Sequence, residues 1–241
     1  LYFSNKVTKI RNTYKFTGFK KSHSYTFSLP PGYTCPFKGS CIDYCYAIWN
    51  SQFRLKRQLV EKHNYYLLYK ALTNGGVPAG FELIKDSIPG NTKLVRINDS
   101  GDYFCYSYME SWFRVAHYRK DILFYSYTKS LPFLYKLSKE HRIPENLRFI
   151  VSLDCNIKAI SYISKLSKLG FRKCIILKTI GDYKRYKHIP FNGGEREAIY
   201  GKGDFKIAIH GAVNRFKVGT TEYRARKFYM ELGRKLNIDV C

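Results

Sequence analysis

The sequence predicts an α/β fold: a partial or compact (β/α) barrel with parallel strands and an N-terminal extension that contains cysteines. The first observation is a regular alternation in the second half of the chain, where apolar runs centred near residues 95, 124, 150 and 175 are separated by helical patterns. These centres recur roughly every 25 to 29 residues, the spacing of βα units, so consecutive strands should lie parallel. The second observation is a hydrophobic content of 45% in 241 residues, which is enough for one well-buried core.

Each element has a local reason. Runs of apolar, β-branched and aromatic residues predict strands, and apolar residues at helical spacing predict helices. The strands are predicted at 93–97, 122–127, 147–153, 173–178 and 205–209. The helices are predicted at 44–72, 106–118, 131–141, 157–169 and 221–236. The first helix should end at Asn74-Gly75-Gly76, because glycine readily forms the C-terminal cap of a helix.

The domain organisation follows from the same pattern. Residues 1–5 look like the remnant of a cleavable tag and are set aside, and 6–241 is predicted to be one domain. Within it, 6–90 is the N-terminal cysteine-containing and helical part, and 91–241 is the βα part. No apolar run approaches the ~18 residues of a membrane span, so no membrane partner is expected. Seven scattered cysteines indicate a reducing compartment, and we expect the cytoplasm of a cell, in particular that of an infected bacterium.

Charge points to the partner. The chain has 42 Lys and Arg against 18 Asp and Glu, a formal charge of +24, and nucleic acid is the commonest polyanion in cells. Tyrosine and phenylalanine are interleaved with the basic residues, which suits phosphate contact combined with base stacking. The alternative is a generally cationic, solvated surface. The candidate nucleic-acid contacts are Arg96, Arg224, Arg226 and Lys227.

Polar residues cluster where the predicted strands end. In parallel βα folds the functional site forms at this carboxyl edge. Carboxylates follow three of the four main strands, although Asp and Asn also cap helices, which is the alternative explanation. The candidates at this edge are Asp99, Ser100, Gly101, Asp102, Tyr127, Lys129, Asp154 and Asp182.

Three cysteines form a separate cluster, Cys35-x5-Cys41-x3-Cys45. Three thiols in one loop can converge on a metal, either zinc with a fourth ligand or an iron–sulfur cluster with one iron left open. The alternative is a set of buried free thiols that pack as small apolar groups. The Cys45-Tyr46-Ala47 ending resembles radical-SAM enzymes, whose cysteines are more tightly spaced, with three and then two intervening residues.

A resemblance links the strand ends to a known chemistry. The segment 98–104, Asn-Asp-Ser-Gly-Asp-Tyr-Phe, resembles the Asp-Ser-Gly-Gly-Tyr/Phe-Gln motif of tRNA-guanine transglycosylases, and Leu153-Asp154-Cys155 resembles their Asp-Glu-Cys segment. The resemblance implies that Asp99 and Asp154 contact the incoming base, with Ser100 beside them. It also implies a nucleophilic Asp on a late strand, for which Asp204 is the positional candidate and Asp182 the second. The departures are Asp102 in place of a glycine, Phe104 in place of the glutamine, and the lack of the family's zinc motif.

The function that this resemblance implies first is that of a DNA-modifying transferase similar to the DpdA group. These are phage and bacterial relatives of the transglycosylases that insert 7-deazaguanines into DNA instead of tRNA. The protein would exchange guanine for a free 7-deazaguanine base through a carboxylate nucleophile, acting on DNA in preference to tRNA. Two alternatives remain: an iron–sulfur or radical-SAM-like nucleic-acid enzyme, and a non-catalytic phage DNA-binding protein. The chain also resembles an uncharacterised group of phage proteins that combine a cysteine cluster with a Ser-Gly-Asp-Phe/Tyr motif, here 100–103, and a Tyr-Thr-Lys-Ser segment, here 127–130.

Overall fold

The centre of the fold is a six-stranded, wholly parallel sheet whose strands follow one another in chain order. The computed structural model describes residues 1–6, 10, 12–191 and 195–208, and the single positions 220, 224, 227, 228 and 231. The strands are β1 (Ser24–Thr26), β2 (Leu94–Ile97), β3 (Leu123–Thr128), β4 (Leu147–Ser152), β5 (Arg172–Leu177) and β6 (Phe205–Ala208). A parallel sheet wound in one direction is a half-barrel, so the prediction of a partial (β/α) barrel is confirmed.

The helices fill the connections between these strands. They are α1 (Tyr14–Thr17), α2 (Tyr46–Gln52), α3 (Leu55–Ser87), α4 (Tyr106–Tyr118), α5 (Leu131–Glu140), α6 (Ile157–Lys168), α7 (Ile180–Arg185) and α8 (Glu195–Tyr200). The single helix predicted at 44–72 is two helices, α2 and α3. Gly76 is non-helical, with φ 60° and ψ −153°, so the first segment of α3 ends at the Asn74-Gly75-Gly76 break that the sequence predicts. A second helical segment, which the sequence did not predict, continues beyond this kink to Ser87.

Alternate side chains of each strand face two different layers. One face packs against α4 to α6, and its Val95, Phe124 and Val151 belong with Trp112 to the larger core. The opposite, concave face carries Tyr125 and other apolar side chains that pack against α8. Because both faces are covered, most residues of the strands are buried, as expected for a parallel sheet.

Strand β1 is the one strand of the described sheet that the sequence did not reveal. It has three residues and two of them, Ser24 and Thr26, are polar although buried, so its pattern is not that of a strand. It pairs with β2 through the register Ser24↔Leu94. As a result, the cysteine segment is the first βα loop of the barrel, which connects β1 to α2 and lies at the carboxyl edge of the sheet.

Residues 1–4 pack into the fold, although the sequence interpretation set 1–5 aside. The Phe3 ring lies 5.2 Å from that of Phe27 and 6.2 Å from that of Trp112. Ser4 forms an antiparallel bridge with Thr26. These contacts bury an aromatic side chain under the outer helices, so the segment contributes to the larger core.

Two expectations concern other parts of the chain. The predicted basic helix at 221–236 lies almost wholly outside the described residues, and so does Arg226. Within the described part of the chain, none of the helices combines the length and the apolar character needed to cross a membrane.

Candidate functional site

A cavity of about 170 Å³ lies at the carboxyl edge of the sheet, under the first βα loop. All three clustered cysteines line it, and the concave face of the half-barrel forms its far wall. The lining residues include Cys35, Cys41, Cys45, Asn98, Asp99, Ser100, Gly101, Asp102, Tyr127, Lys129, Ile176, Phe191, Glu195 and Ile207. The structure therefore brings the cysteine cluster, the segment after β2 and the end of β3 together in one place.

The cysteine loop is held in position by the loop that follows β4. Lys38 forms an antiparallel bridge with Cys155, and the amide of Asn156 donates to the carbonyl of Phe37 at 3.1 Å. Gly39 lies so close that a Cβ there would be 2.9 Å from the carbonyl oxygen of Asp154. Only glycine allows the two backbones to approach this closely.

Asp154 fastens the same loop through its carboxylate. It accepts hydrogen bonds from Ser40 Oγ at 3.0 Å, from Lys178 Nζ at 2.9 Å and from the hydroxyl of Tyr44. Burial alone would raise the pKa of Asp154, but the hydrogen bonds from Tyr44 and Lys178 outweigh it and hold that pKa below its usual value. Asp154, predicted as a base contact, thus has its acceptor oxygens directed to the cysteine loop.

The segment after β2 packs against the start of the cysteine loop. Gly101 has φ 77°, and a Cβ there would lie 2.5 Å from Thr34 Oγ1 and 2.8 Å from Leu29 Cβ. Ser100 receives a hydrogen bond at its carbonyl from the amide of Leu29 at 3.0 Å, and its hydroxyl donates to Glu61 at 2.5 Å. Gly101 is therefore required both for its left-handed backbone and for its lack of a side chain.

Asp102 links the β2 and β3 ends. Its carboxylate accepts from Thr128 Oγ1 at 2.7 Å, from the amide of Lys129 at 2.8 Å and from the amide of Tyr103 at 2.8 Å. Burial nevertheless raises the pKa of Asp102 above its usual value, because these hydrogen bonds only partly offset desolvation of the charge. The residue fixes the backbone from which the Lys129 side chain enters the cavity.

Lys129 brings a positive charge to the cysteines. Within the described residues its ammonium group makes no hydrogen bond and no ion pair, although the side chain is half-buried. Burial lowers the pKa of Lys129. The nearby Cys41, Asp102 and Asp154 raise that pKa by more than burial lowers it, so the net shift is upward. The ammonium group is therefore charged at neutral pH.

The Cys35 and Cys41 thiols are protonated at neutral pH without a metal. Burial raises the pKa of Cys35 to about 12, and burial also raises the pKa of Cys41. A metal that bound here would release these protons, since thiolates are the ligands. Among the described residues, no group of three or more His, Cys, Asp or Glu lies close enough together to hold a single metal ion.

Asp99 lies at the node of a buried charge network beside the cavity. Arg57 contacts Asp99 at 3.3 Å, and Arg96 contacts it at 3.5 Å while also pairing with Glu195. Arg57 also bonds Glu61 at 2.8 Å. Arg96, predicted as a phosphate contact, is thus a largely buried partner of two carboxylates.

The two candidates for a nucleophile are not brought to the cavity. Asp182 caps α7, where it accepts from the amides of Lys178 at 2.9 Å and Thr179 at 2.8 Å. Asp204 precedes β6 and accepts from the amide of Lys173 at 2.8 Å. The start of a parallel strand lies at the edge opposite its carboxyl end, so Asp204 is on the wrong side of the sheet for this site.

Several residues of the site were not found from the sequence. Glu61 and Glu195 are buried carboxylates, at 1% and 8% exposure, on helices that join the cavity wall. A signal existed for Glu61, which is the one acidic residue between positions 53 and 74 and lies in an otherwise basic segment. Glu195 follows a glycine-rich segment, and no sequence pattern marked it. Arg224 and Lys227 are exposed, as a phosphate contact requires.

Comparison with known proteins gives a family. Residues 3–207 match the family described as Gene product 88. The Gene 88 protein of Mycobacterium phage D29 is 31% identical over 104 residues, which cover 41% of this chain and 43% of the relative. The Gene 88 protein of Mycobacterium phage L5 is 30% identical over 104 residues, 41% of this chain and 44% of the relative. The aligned part spans less than half the length of these curated relatives. No solved structure matches the chain.

The family match extends over most of the chain and covers β1 to β5, the cysteine loop and every cavity residue up to Ile207. The prediction of a phage protein with a partial barrel is thereby confirmed. The chain belongs to the Gene product 88 family.

Proposed function

We propose that this protein is an iron–sulfur enzyme that acts on nucleic acid, with the cluster held by Cys35, Cys41 and Cys45. The observation that carries the proposal is the convergence of these three cysteines, all from the first βα loop, on one cavity at the carboxyl edge of the half-barrel. That edge is where βα folds place their chemistry. Three thiolate ligands also leave one iron of a [4Fe–4S] cluster open to a further ligand.

Three thiolates are a donor set that suits either an iron–sulfur cluster or zinc, and the two differ in how closely they draw the sulfur atoms together. Tetrahedral zinc with Zn–S bonds near 2.3 Å draws its sulfur ligands to within about 3.8 Å of one another. A cluster of several irons holds its cysteines further apart than a single zinc ion does. One carboxylate near the loop, Asp154, already accepts hydrogen bonds from three side chains of the protein.

A bound cluster with an open iron supplies one-electron chemistry to the ligand of that iron, and the likeness to radical-SAM enzymes implies S-adenosylmethionine as that ligand. The residues of this chain prepare the site. Lys129 offsets the negative charge of the thiolates, and Asp154 holds the cysteine loop against β4. Tyr127 and Phe191 contribute aromatic walls to the cavity. The opening left by these walls is the place for the co-substrate and the reacting group.

Nucleic acid is the substrate class that the charge supports. A formal charge of +24 is unfavourable for a chain of this length unless a polyanion neutralises it. DNA of an infected cell remains the polymer we favour over tRNA. The base-exchange chemistry predicted from the transglycosylase resemblance has less support from the geometry. Asp99, Asp102 and Asp154 are all engaged by protein donors, and neither Asp182 nor Asp204 faces the cavity.

The test is anaerobic reconstitution with iron and sulfide, followed by visible absorption and electron paramagnetic resonance spectra. We expect a brown protein whose cluster signal disappears in each of the variants Cys35→Ala, Cys41→Ala and Cys45→Ala. Cys105→Ala is the matched control, because that thiol is half-buried but does not line the cavity. Cys174→Ala tests whether the buried thiol across the cavity is a fourth ligand.

Two results would decide against the proposal. One is a colourless protein, folded by circular dichroism, that takes up zinc through the three cysteines and no iron. The other is incorporation of labelled 7-deazaguanine into DNA or tRNA by the protein without iron, which would establish base exchange in its place.

A further inference from the structure

We infer that the exposed face of the first half of α3 binds single-stranded nucleic acid and leads it to the cavity. We define the α3 face as Arg54, Lys56, Lys62, Tyr66, Tyr69 and Lys70. The choice of nucleic acid as partner rests on the proposed function. The position of the binding site and its preference for a single strand are inferred from the charge of the α3 face, from its exposed aromatic rings and from the path of these side chains to the cavity.

The charge of this face has one sign. Residues 53–74 contain five Lys or Arg and a single acidic residue, Glu61. Glu61 is 1% exposed and accepts hydrogen bonds from Ser51, Arg57 and Ser100, so it does not reach the surface. The exposed cations of the α3 face therefore meet no exposed acid on their own helix segment, and a phosphate backbone would complement them.

The same face exposes large aromatic and apolar side chains. Tyr66 is 61% exposed and Tyr69 is 54% exposed, and Leu59 between the basic positions is 58% exposed. Exposed tyrosines beside lysines suit bases that are already unstacked, because each ring can stack on one base while the lysines contact phosphates. A duplex keeps its bases inside, so this arrangement favours a single strand.

The face is continuous with the cavity. The ring of Tyr69 lies 5.8 Å from that of Tyr65, and Tyr65 lies 5.2 Å from Tyr33. Tyr33 is 74% exposed and precedes Cys35 by two residues. At the other end of the α3 face, Arg54 and Lys56 line a groove that also contains Tyr46, and Tyr46 lines the cavity as well. From Arg54 to Lys70 the helix rises about 24 Å, which is the length of a few nucleotides.

The experiment measures binding of labelled oligothymidine, about a dozen nucleotides long, by fluorescence anisotropy, with the matching duplex as competitor. We expect Tyr66→Ala and Tyr69→Ala each to weaken single-strand binding about tenfold. Lys62→Gln and Lys70→Gln should each lower the slope of log affinity against log salt by about 0.7. The control is the double variant Lys158→Gln with Lys168→Gln, which removes two exposed lysines from α6 on the outer side of the barrel. Its preference for the single strand over the duplex, which depends on the tyrosines, should be unchanged.

Binding is measured on the protein without iron, so the result does not depend on whether the protein binds an iron–sulfur cluster. Equal losses in the α6 control and the α3 variants would overturn the inference, since binding would then be a matter of net charge alone. Tighter binding to the duplex, or to anionic vesicles in place of the oligonucleotide, would also overturn it. Loss of the single-strand preference in the tyrosine variants, with circular dichroism unchanged, would support it.

Discussion

Removal of the Asp102 carboxylate should destabilise the contact between the carboxyl ends of β2 and β3. Asp102→Ala leaves the amides of Tyr103 and Lys129 and the hydroxyl of Thr128 without their acceptor. A buried donor without a partner costs about 1–3 kcal/mol, and the threonine hydroxyl can rotate to another acceptor. Relief of the buried charge offsets part of the loss, so we expect the free energy of unfolding to fall by about 3 kcal/mol.

Asp102→Asn separates the charge from the hydrogen bonds. The asparagine oxygen keeps the acceptor for Tyr103 and Thr128, but its amide group would face the N–H of Lys129, at a cost of about 1–2 kcal/mol. Because burial raises the folded-state pKa of Asp102 above its ordinary value of 3.8, the folded protein binds this proton more tightly than the unfolded chain does. The stability contributed by Asp102 is therefore complete below pH 3.8 and declines as the pH rises through the folded-state pKa.

The assay is urea unfolding followed by tryptophan fluorescence for the wild type and the asparagine variant, at about pH 4 and about pH 7.5. The difference in unfolding free energy between the two proteins should be larger at the acid pH. A difference that grows towards neutral pH would refute the reasoning, because the hydrogen bonds of Asp102 would then outweigh its burial.

Three further outcomes are expected. Gly101→Ala should destabilise the fold by more than about 2 kcal/mol in the same urea assay, since its φ of 77° and its contact with the β1 loop both exclude a Cβ; Gly90→Ala, with open space around it, should have little effect. Glu61→Gln should cost about 3 kcal/mol of unfolding free energy because it leaves the Arg57 charge poorly compensated, and an unchanged urea midpoint would contradict the network. Lys129→Met should leave the fold stable but shift the reduction potential of the reconstituted cluster to a more negative value, measured by redox titration; an unchanged potential would place the ammonium group away from the cluster.

Much of the barrel could be predicted because its strands are buried on both faces. Runs such as 93–97 and 147–153 contain mostly apolar residues. The helices between them have clear apolar stripes, so α4 was predicted with its observed bounds. Strand β1 could not be predicted, because a three-residue strand with buried Ser24 and Thr26 carries no strand pattern. That omission made the cysteine segment look like an extension in place of the first loop of the barrel.

The site was predicted as a set of residues but not as an arrangement. The acids at the strand ends do gather at the carboxyl edge, as their positions after the strands indicate. Their partners, however, come from distant segments: Tyr44 and Lys178 for Asp154, and Arg57 for Asp99. Such pairings depend on tertiary contacts that no local pattern encodes, so the sequence could not distinguish a free carboxylate from one that anchors a loop.

The most direct test of the account is native mass spectrometry of the protein purified without oxygen. We expect the mass of the chain plus one [4Fe–4S] cluster, and the mass of the chain alone for a variant in which Cys35, Cys41 and Cys45 are all alanine. A wild-type chain that carries a single zinc ion, or no metal after reconstitution with iron and sulfide, would contradict the central claim.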